Sequence, residues 1–468
     1  MSAGGGRRIV VATADTLGPR MAGPAIRALH IARALAAEHR VELVTTGPCE
    51  LTEPGLEVLH VDEGGLRAAL DRCDVFILQG WIMAGRPWIV ASDKVLVCDV
   101  YDPMHLEQLE QSREAGPEGW RRAVHGAMAA LNEQLRRGDF FVCASEKQRD
   151  LWLGHLGGLG RINPATYEAD GTLRRLIDVV PFGVGDEPPV KGAPAMRGVL
   201  PGVDASSRVI LWGGGVYNWF DPLSLVRAVD RLRHRHPEVR LVFMGLRHPN
   251  PTIPEMRIAG ETRALADELG LSGTFVHFNE GWVPFDRRQD FLLEADVGVS
   301  THFDHVETEF SFRTRILDYL WAGLPIVATD GDSFASLLTE AGAGQVVPAE
   351  DVDALEAALE RLLTDDELAR SQAQGSRALG EALRWQRVLE PLLAFCRAPA
   401  RAPDLLDDLL CELARTDLVV VTSTRSRLRH DWYAFWHILG QEGVRGIAAR
   451  ALKRVRRLAD RFSGRARR

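Results

Sequence analysis

Short, mainly apolar runs that do not alternate with polar residues recur along most of the chain, most of them followed by a turn rich in glycine or proline and then by residues of helical period. Residues 9–12, 41–45, 75–79, 95–100 and 140–144 form one series, and 209–212, 239–244, 274–278, 297–300 and 325–329 form a second. A strand with one wet face alternates apolar and polar side chains. A strand that is apolar throughout is covered on both faces, as in a parallel sheet flanked by helices. The pattern therefore predicts a doubly wound α/β architecture. Between the series, Ile177-Asp178-Val179-Val180 runs into Pro181-Phe182-Gly183-Val184-Gly185 and a Pro- and Gly-rich stretch up to about Asp204, the composition of an interdomain linker. Each series opens strand, Gly-rich turn, helix, so two facing Rossmann-like domains with an interdomain cleft are expected, over 1–185 and 186–383.

Composition fits this and narrows the partners. The 468 residues carry 56 basic against 64 acidic side chains, a net charge of −8, which argues against a chain that coats nucleic acid. Six cysteines stand far apart with no C-x-x-C pair, favouring reduced thiols in a cytosolic setting over a zinc ribbon or disulfide framework. No apolar run reaches the length of a membrane span, and the run after Arg7 and Arg8 is too short for a signal-peptide core. The tail, 399–468, differs: from Arg445 onward ten basic residues face one acid, Asp460. Ile447, Ala451, Val455, Leu458 and Phe462 fall three or four apart, one apolar stripe opposite the arginines. Such a helix can rest on an anionic membrane surface, and equally can be solvated or docked on the acidic body.

Three segments are equipped for chemistry at the carboxyl ends of the strands, where open α/β sheets bind ligands. In Leu17-Gly18-Pro19-Arg20-Met21-Ala22-Gly23-Pro24, glycines and then a helix N-terminus follow the first strand, a geometry that attracts phosphate through unpaired N–H groups. It lacks G-x-G-x-x-G, which disfavours a nicotinamide site. In the second segment, residues 307–329, Ser311 is a candidate N-cap for a helix ending at Gly323. Arg313 and Arg315 in its first turn oppose the helix dipole, an arrangement best explained by an anion held nearby. Asp318 is placed to accept hydrogen bonds from a sugar's vicinal hydroxyls. In the third, Gly213-Gly214-Gly215-Val216-Tyr217-Asn218-Trp219, three glycines let a ligand approach the backbone, and the aromatics can stack on a base or pack an interface.

These residues resemble the GT-B fold glycosyltransferases, specifically the family 4 group of retaining, nucleotide-sugar-dependent enzymes, over about residues 8–398. The run Asp318-Tyr-Leu-Trp-Ala-Gly-Leu-Pro-Ile-Val-Ala-Thr resembles that family's E-A-M-A-x-G-x-P-V-V-A-T segment, and Arg384-Trp385-Gln386-Arg387-Val388 its final helix, 384–398, which crosses back to the N-terminal domain. The resemblance implies that Asp318 takes the place of the second Glu of an E-x7-E motif and contacts the donor ribose. Strict spacing puts the first Glu at Phe310, so Glu309 is the nearest acid and Glu307 the next. The family's Arg and Lys after the second Gly-rich turn are missing between Gly213 and Pro222, leaving Arg313, Arg315 or Arg247 to neutralise the diphosphate. Gly23, Gly214, Gly215 and Thr314 complete the implied donor contacts. In the N-terminal half the resemblance implies acceptor or sugar contacts from Asp102, His105 and Glu107, with His105 in a catalytic role.

A nucleotide-diphosphate sugar is the implied donor, and a glycan or lipid-linked molecule the acceptor, in envelope polysaccharide or glycolipid assembly at the inner membrane face. No metal or other cofactor is expected. Asp330-Gly331-Asp332 spells D-x-D but reads as an ordinary turn, and His302 and His305 as solvent or substrate contacts rather than metal ligands. Rival readings are a phosphorylase or epimerase of the same fold, and a non-catalytic nucleotide-sugar-binding subunit.

Overall fold

A computed structural model describes residues 6–246, 255–407, 409 and 410. The first sheet holds β1 (Arg8–Thr13), β2 (Arg40–Thr45), β3 (Glu57–His60), β4 (Val75–Gln79), β5 (Val95–Asp99), β6 (Phe140–Cys143) and β7 (Ile177–Val179). The second holds β8 (Arg208–Trp212), β9 (Val239–Phe243), β10 (Val276–Phe278), β11 (Val297–Ser300), β12 (Ile326–Thr329) and β13 (Gly344–Val347). The strand orders are β3-β2-β1-β4-β5-β6-β7 and β10-β9-β8-β11-β12-β13, and the paired strands run parallel throughout. In register, Ile9 of β1 lies between Val41 and Val75, and Ile210 of β8 between Leu241 and Val297. The expected strands are present, β1 to β4 wholly buried at their apolar positions apart from the edge. Three strands were not expected, β3, β7 and β13. All three sit at sheet edges and are partly exposed, so they carry no continuous apolar run.

In each sheet the strand order reverses between the first strand and its later neighbour, β1 and β4 in one and β8 and β11 in the other. That reversal opens a crevice beyond the carboxyl ends, and it is there that each Gly-rich turn falls. The first helix spans Gly23–Ala36 with Pro24 in its opening turn, where a missing N–H costs nothing. It buries Ala25, Ala28, Leu29, Ile31, Ala32 and Leu35 on the sheet.

The two lobes touch on both flanks of the gap between them. Phe285 N donates to Pro19 O at 2.8 Å and Trp282 Nε1 to Met21 O at 3.2 Å on one side. Gln148 Nε2 donates to Phe310 O at 2.8 Å on the other. The chain crosses out at Phe182–Asp186 and returns at Leu383–Trp385, and the crossings hydrogen-bond to each other, Val184 N to Leu383 O at 2.8 Å and Trp385 N to Val184 O at 3.2 Å. After the return, helices Trp385–Val388 and Glu390–Arg397 lie against the first lobe: Trp385 stacks on His30 with centroids 4.7 Å apart, and Phe395 on Phe140 at 4.4 Å. The basic segment from Arg445 onward and Arg247 lie outside the described residues. Among the described residues no helix is long and apolar enough to cross a membrane.

Candidate active site

A cavity of about 630 Å³ occupies the gap, lined from both lobes by the turns after β1, β4, β5 and β8 and by residues 311–321. Its floor on the second lobe is the Gly213-Gly214-Gly215 turn. Gly214 has φ +76°, open to glycine without strain, and a Cβ on Gly213 or Gly215 would press into the Tyr319 or Tyr217 ring at 3.1 or 2.9 Å. The turn is held by Tyr319, whose hydroxyl accepts from Gly213 N at 2.7 Å and lies 2.8 Å from Val299 O. Gly298 leaves room for this ring, since a Cβ there would sit 2.5 Å from it. Tyr319 thus ties three elements to one point, a role that its neighbours in the sequence do not announce.

The helix behind the turn is Thr314–Ala322, ending at Gly323 in the left-handed conformation. The N-cap expected at Ser311 is not formed. A separate short helix, Val306–Phe310, precedes it; Ser311 ends that helix and donates backward to Thr308 O at 3.0 Å, so Arg313 occupies the cap position. Both arginines are buried against the cavity, Arg313 at 4% and Arg315 at 7% exposure. Their electrostatics differ. Arg313 makes two bonds to Glu307, at 3.0 and 2.8 Å, which balance its charge. Among the described residues Arg315 has no such carboxylate partner. Its Nη2 donates to Gly215 O at 2.7 Å, and its guanidinium lies 4.2 Å over Trp212 and 3.9 Å over Phe220. Burial lowers its pKa to about 10, and Nη1 finds no partner among the described residues. The missing cation of the Gly-rich turn is therefore delivered to that turn by a different element.

Asp318 and Thr314 line the cavity one turn apart. Asp318 Oδ1 accepts from Arg288 Nε at 3.1 Å, and Arg288 is sandwiched by Phe285 and Trp321 at 3.9 and 4.4 Å. Tyr217 and Trp219 stack on each other with centroids 4.9 Å apart and both reach the cavity wall. On the first lobe the lining includes Gly23, Asp15, Gln79, Asp102 and Glu107. Asp102 and Glu107 hydrogen-bond carboxyl to carboxyl. Burial raises Asp102 to about 7 and, with Asp102 and Glu307 adding repulsion, raises Glu107 well above the usual carboxyl range. Burial also raises Asp15 to about 6, and it holds His30 neutral by lowering its imidazole to about 3.

Two residues expected at the centre stand elsewhere. Glu309 points outward and pairs with Lys147 at 2.7 Å, half exposed, while Glu307 at 1% exposure faces the cavity. His105 is buried against Trp152, centroids 6.0 Å apart, and does not line the cavity. Helical geometry explains both: residues two apart lie on opposite faces, so Glu307 and Glu107 face inward and Glu309 and His105 away. His302 is fully buried rather than in contact with solvent or cavity. Asp332 accepts from Phe334 N at 2.7 Å and Ala335 N at 3.1 Å, closing the turn, with Asp330 exposed beside it.

The raised Asp102 carboxyl has a consequence for stability. The folded protein keeps a proton that the unfolded chain, with an ordinary value of 3.8, has already lost, so stability is greatest below the lower value and drains away as pH rises through about 7. Asp102→Asn keeps an acceptor for Glu107 without the charge. It is expected to raise Tm at pH 8 and to leave it unchanged at pH 4; a Tm difference of the same size at both pH values would contradict this.

Residues 207–365, which hold the whole second sheet, match the family model for "Glycosyl transferases group 1". A phosphatidyl-myo-inositol mannosyltransferase of Mycolicibacterium smegmatis is 28% identical over 144 residues, 31% of this chain and 33% of that protein, so the match spans about a third of the relative's length. WaaG, a glycosyltransferase involved in lipopolysaccharide biosynthesis, superposes with a TM-score of 0.59 at 16% identity, covering 83% of this chain and 100% of that one. HepE of Anabaena in complex with UDP-glucose gives 0.60 at 14% identity, covering 84% and 100%. The architecture is the GT-B fold that the sequence resemblance implied.

Proposed function

We propose that the protein is a glycosyltransferase that moves a sugar from a nucleotide-diphosphate donor to a glycan or lipid-linked acceptor, with retention and without a metal ion. One observation carries the reading: the cation Arg315, balanced by no carboxylate among the described residues, is buried beneath a Gly-rich turn and has an N–H without a partner among them in the wall of a cavity between two Rossmann-like lobes. A buried cation without a counter-charge is costly, and a diphosphate arriving at the turn would balance it. The family model over the same lobe supports the donor assignment, and a solved neighbour of the fold is in complex with UDP-glucose.

In the reaction, the bond from the anomeric carbon to the diphosphate oxygen breaks and one to an acceptor oxygen forms on the same face. The acceptor's proton ends on the departing diphosphate. Arg315, Arg313 and the N–H groups at Gly23 and at Gly214–Gly215 meet the charge that builds on the leaving group, the kind of term that is commonly the largest in catalysis. Asp318 takes the ribose hydroxyls, for which Arg288 gives way. Contact of the two lobes on both flanks excludes water that would otherwise hydrolyse the donor. The mannosyltransferase and WaaG likenesses support a setting in envelope glycan or glycolipid assembly, at the inner face of the membrane.

The test is a panel of nucleotide sugars assayed for donor-dependent release of nucleoside diphosphate. Turnover supports the transferase; saturable donor binding with no turnover would instead identify a binding subunit. Asp318→Ala is expected to weaken donor binding about tenfold, the loss of one or two charge-assisted hydrogen bonds. Unchanged affinity, read by calorimetry, would remove Asp318 from the donor site.

A further inference from the structure

The two halves of the cavity differ in their cations: both carry carboxylates, Glu307 and Asp318 on the second lobe among them, but the balancing charges lie on one side. Among the described residues every cation in its wall belongs to the second lobe, Arg288, Arg313 and Arg315, and His30 on the first lobe is neutral. The first lobe contributes Asp15, Asp102 and Glu107 and neither lysine nor arginine. Across the gap the nearest cation, Arg313, is taken up by Glu307. Orphaned atoms in the cavity wall follow the same division. On the second lobe they are donors, Arg313 Nε and Arg315 Nη1. On the first lobe Gln79, only 5% exposed, spends both amide hydrogens on Thr13 Oγ1 and Pro24 O at 2.8 and 2.9 Å, while its Oε1 has no donor among the described residues. Asp102 and Glu107 meanwhile share a hydrogen bond, which two ionised carboxylates could not do.

A pole built from acceptors and short of donors fits a ligand group that only donates. A phosphate or carboxylate would be repelled there, and a hydroxyl brings an acceptor with each donor. An ammonium brings three donors, no acceptor and the missing positive charge. We propose that the acceptor pole of the cleft recognises a protonated amine, so that the acceptor is an amino sugar or an aminocyclitol whose ammonium lies among Asp102, Glu107 and Gln79. The inference rests on the glycosyltransferase reading for the word acceptor, but not for the binding itself. On binding, Glu107 releases its proton to the solvent and the pair becomes two carboxylates around one cation. The amine orients the molecule and is not the nucleophile.

Ligand-observed NMR titration of the full-length protein at pH 7 with glucosamine, N-acetylglucosamine and glucose tests this without a donor. Glucosamine is expected to bind at least about tenfold more tightly than either neutral sugar, as for a charge-assisted contact in a partly dry site. The preference should vanish in the near-isosteric Asp102→Asn/Glu107→Gln double variant. Equal affinities on the unaltered protein, an absence of glucosamine binding, or a preference that survives the double variant would each overturn the proposal. Because the readout is binding alone, such a failure leaves nucleoside diphosphate release intact, whereas failure of the transferase reading abolishes that release and leaves the titration unchanged.

Discussion

Arg315→Met is expected to cut donor-dependent release of nucleoside diphosphate by about a hundredfold or more while leaving the protein at least as heat-stable as before. The two halves of this expectation come from one fact, that Arg315 is buried with no carboxylate among the described residues to balance it. A methionine of similar reach can pack on Trp212 and Phe220 and removes a charge whose burial the folded state alone does not compensate. Gly215 O loses one donor but keeps Trp212 Nε1 at 3.3 Å. In the transition state the same charge is needed, and losing one well-placed donor to a developing anion typically costs about 3–4 kcal/mol. Thermal melts and turnover measured on one preparation separate the effects. Activity within about threefold of the original would end the assignment, and a fall in both Tm and turnover would make Arg315 a structural residue instead.

Asp99→Ala should lower the stability of the first lobe by about 3–5 kcal/mol, the range seen when one member of a buried ion pair is removed. Arg27 is 0% exposed and donates to Asp99 from Nε at 2.6 Å and Nη2 at 2.9 Å, with a third bond from Nη2 to Val180 O at 2.8 Å. Its guanidinium is flanked by Tyr101 at 5.1 Å and Phe182 at 4.9 Å. The pair fastens the helix that opens at Gly23 to the end of β5 and to the segment leaving β7, which brings Asp102 to the cavity. Alanine leaves the cation stranded. Arg27→Met combined with Asp99→Leu removes both charges and should recover most of the loss, as read from the midpoint of denaturation. A single variant no less stable than the parent would show that the pair contributes nothing.

The sequence made the sheets legible because ten of their strands are buried on both faces, and composition alone then marks them. It was silent on β3, β7 and β13, whose edge positions leave Glu57 and His60 exposed and Asp178, Val179 and Gly344 to Val346 half buried. Arg313 and Arg315 could be singled out because they oppose a dipole, an energetic oddity visible without coordinates. The choice between Glu307 and Glu309 could not be made. It depends on the phase of a five-residue helix that is broken from the next at Ser311, and register counted through the break is lost. His105 fails for a related reason, since its helix turns Glu107 inward. Tyr319, Gln79 and Arg288 gave no signal because their roles arise from partners that are distant along the chain.

The paired crossings at Val184 and Leu383 make a single ribbon where, among the described residues, the chain passes from one lobe to the other and back, and Trp385 is wedged beneath it, within 2.5 Å of where a Gly183 side chain would begin. Like a door hung on one hinge, the halves can swing but cannot slide apart, so the width of the mouth and the angle at this ribbon are one variable. Bulk added at Gly183 would therefore be felt as a change of gape at the far rim, well away from any group that touches the reactants.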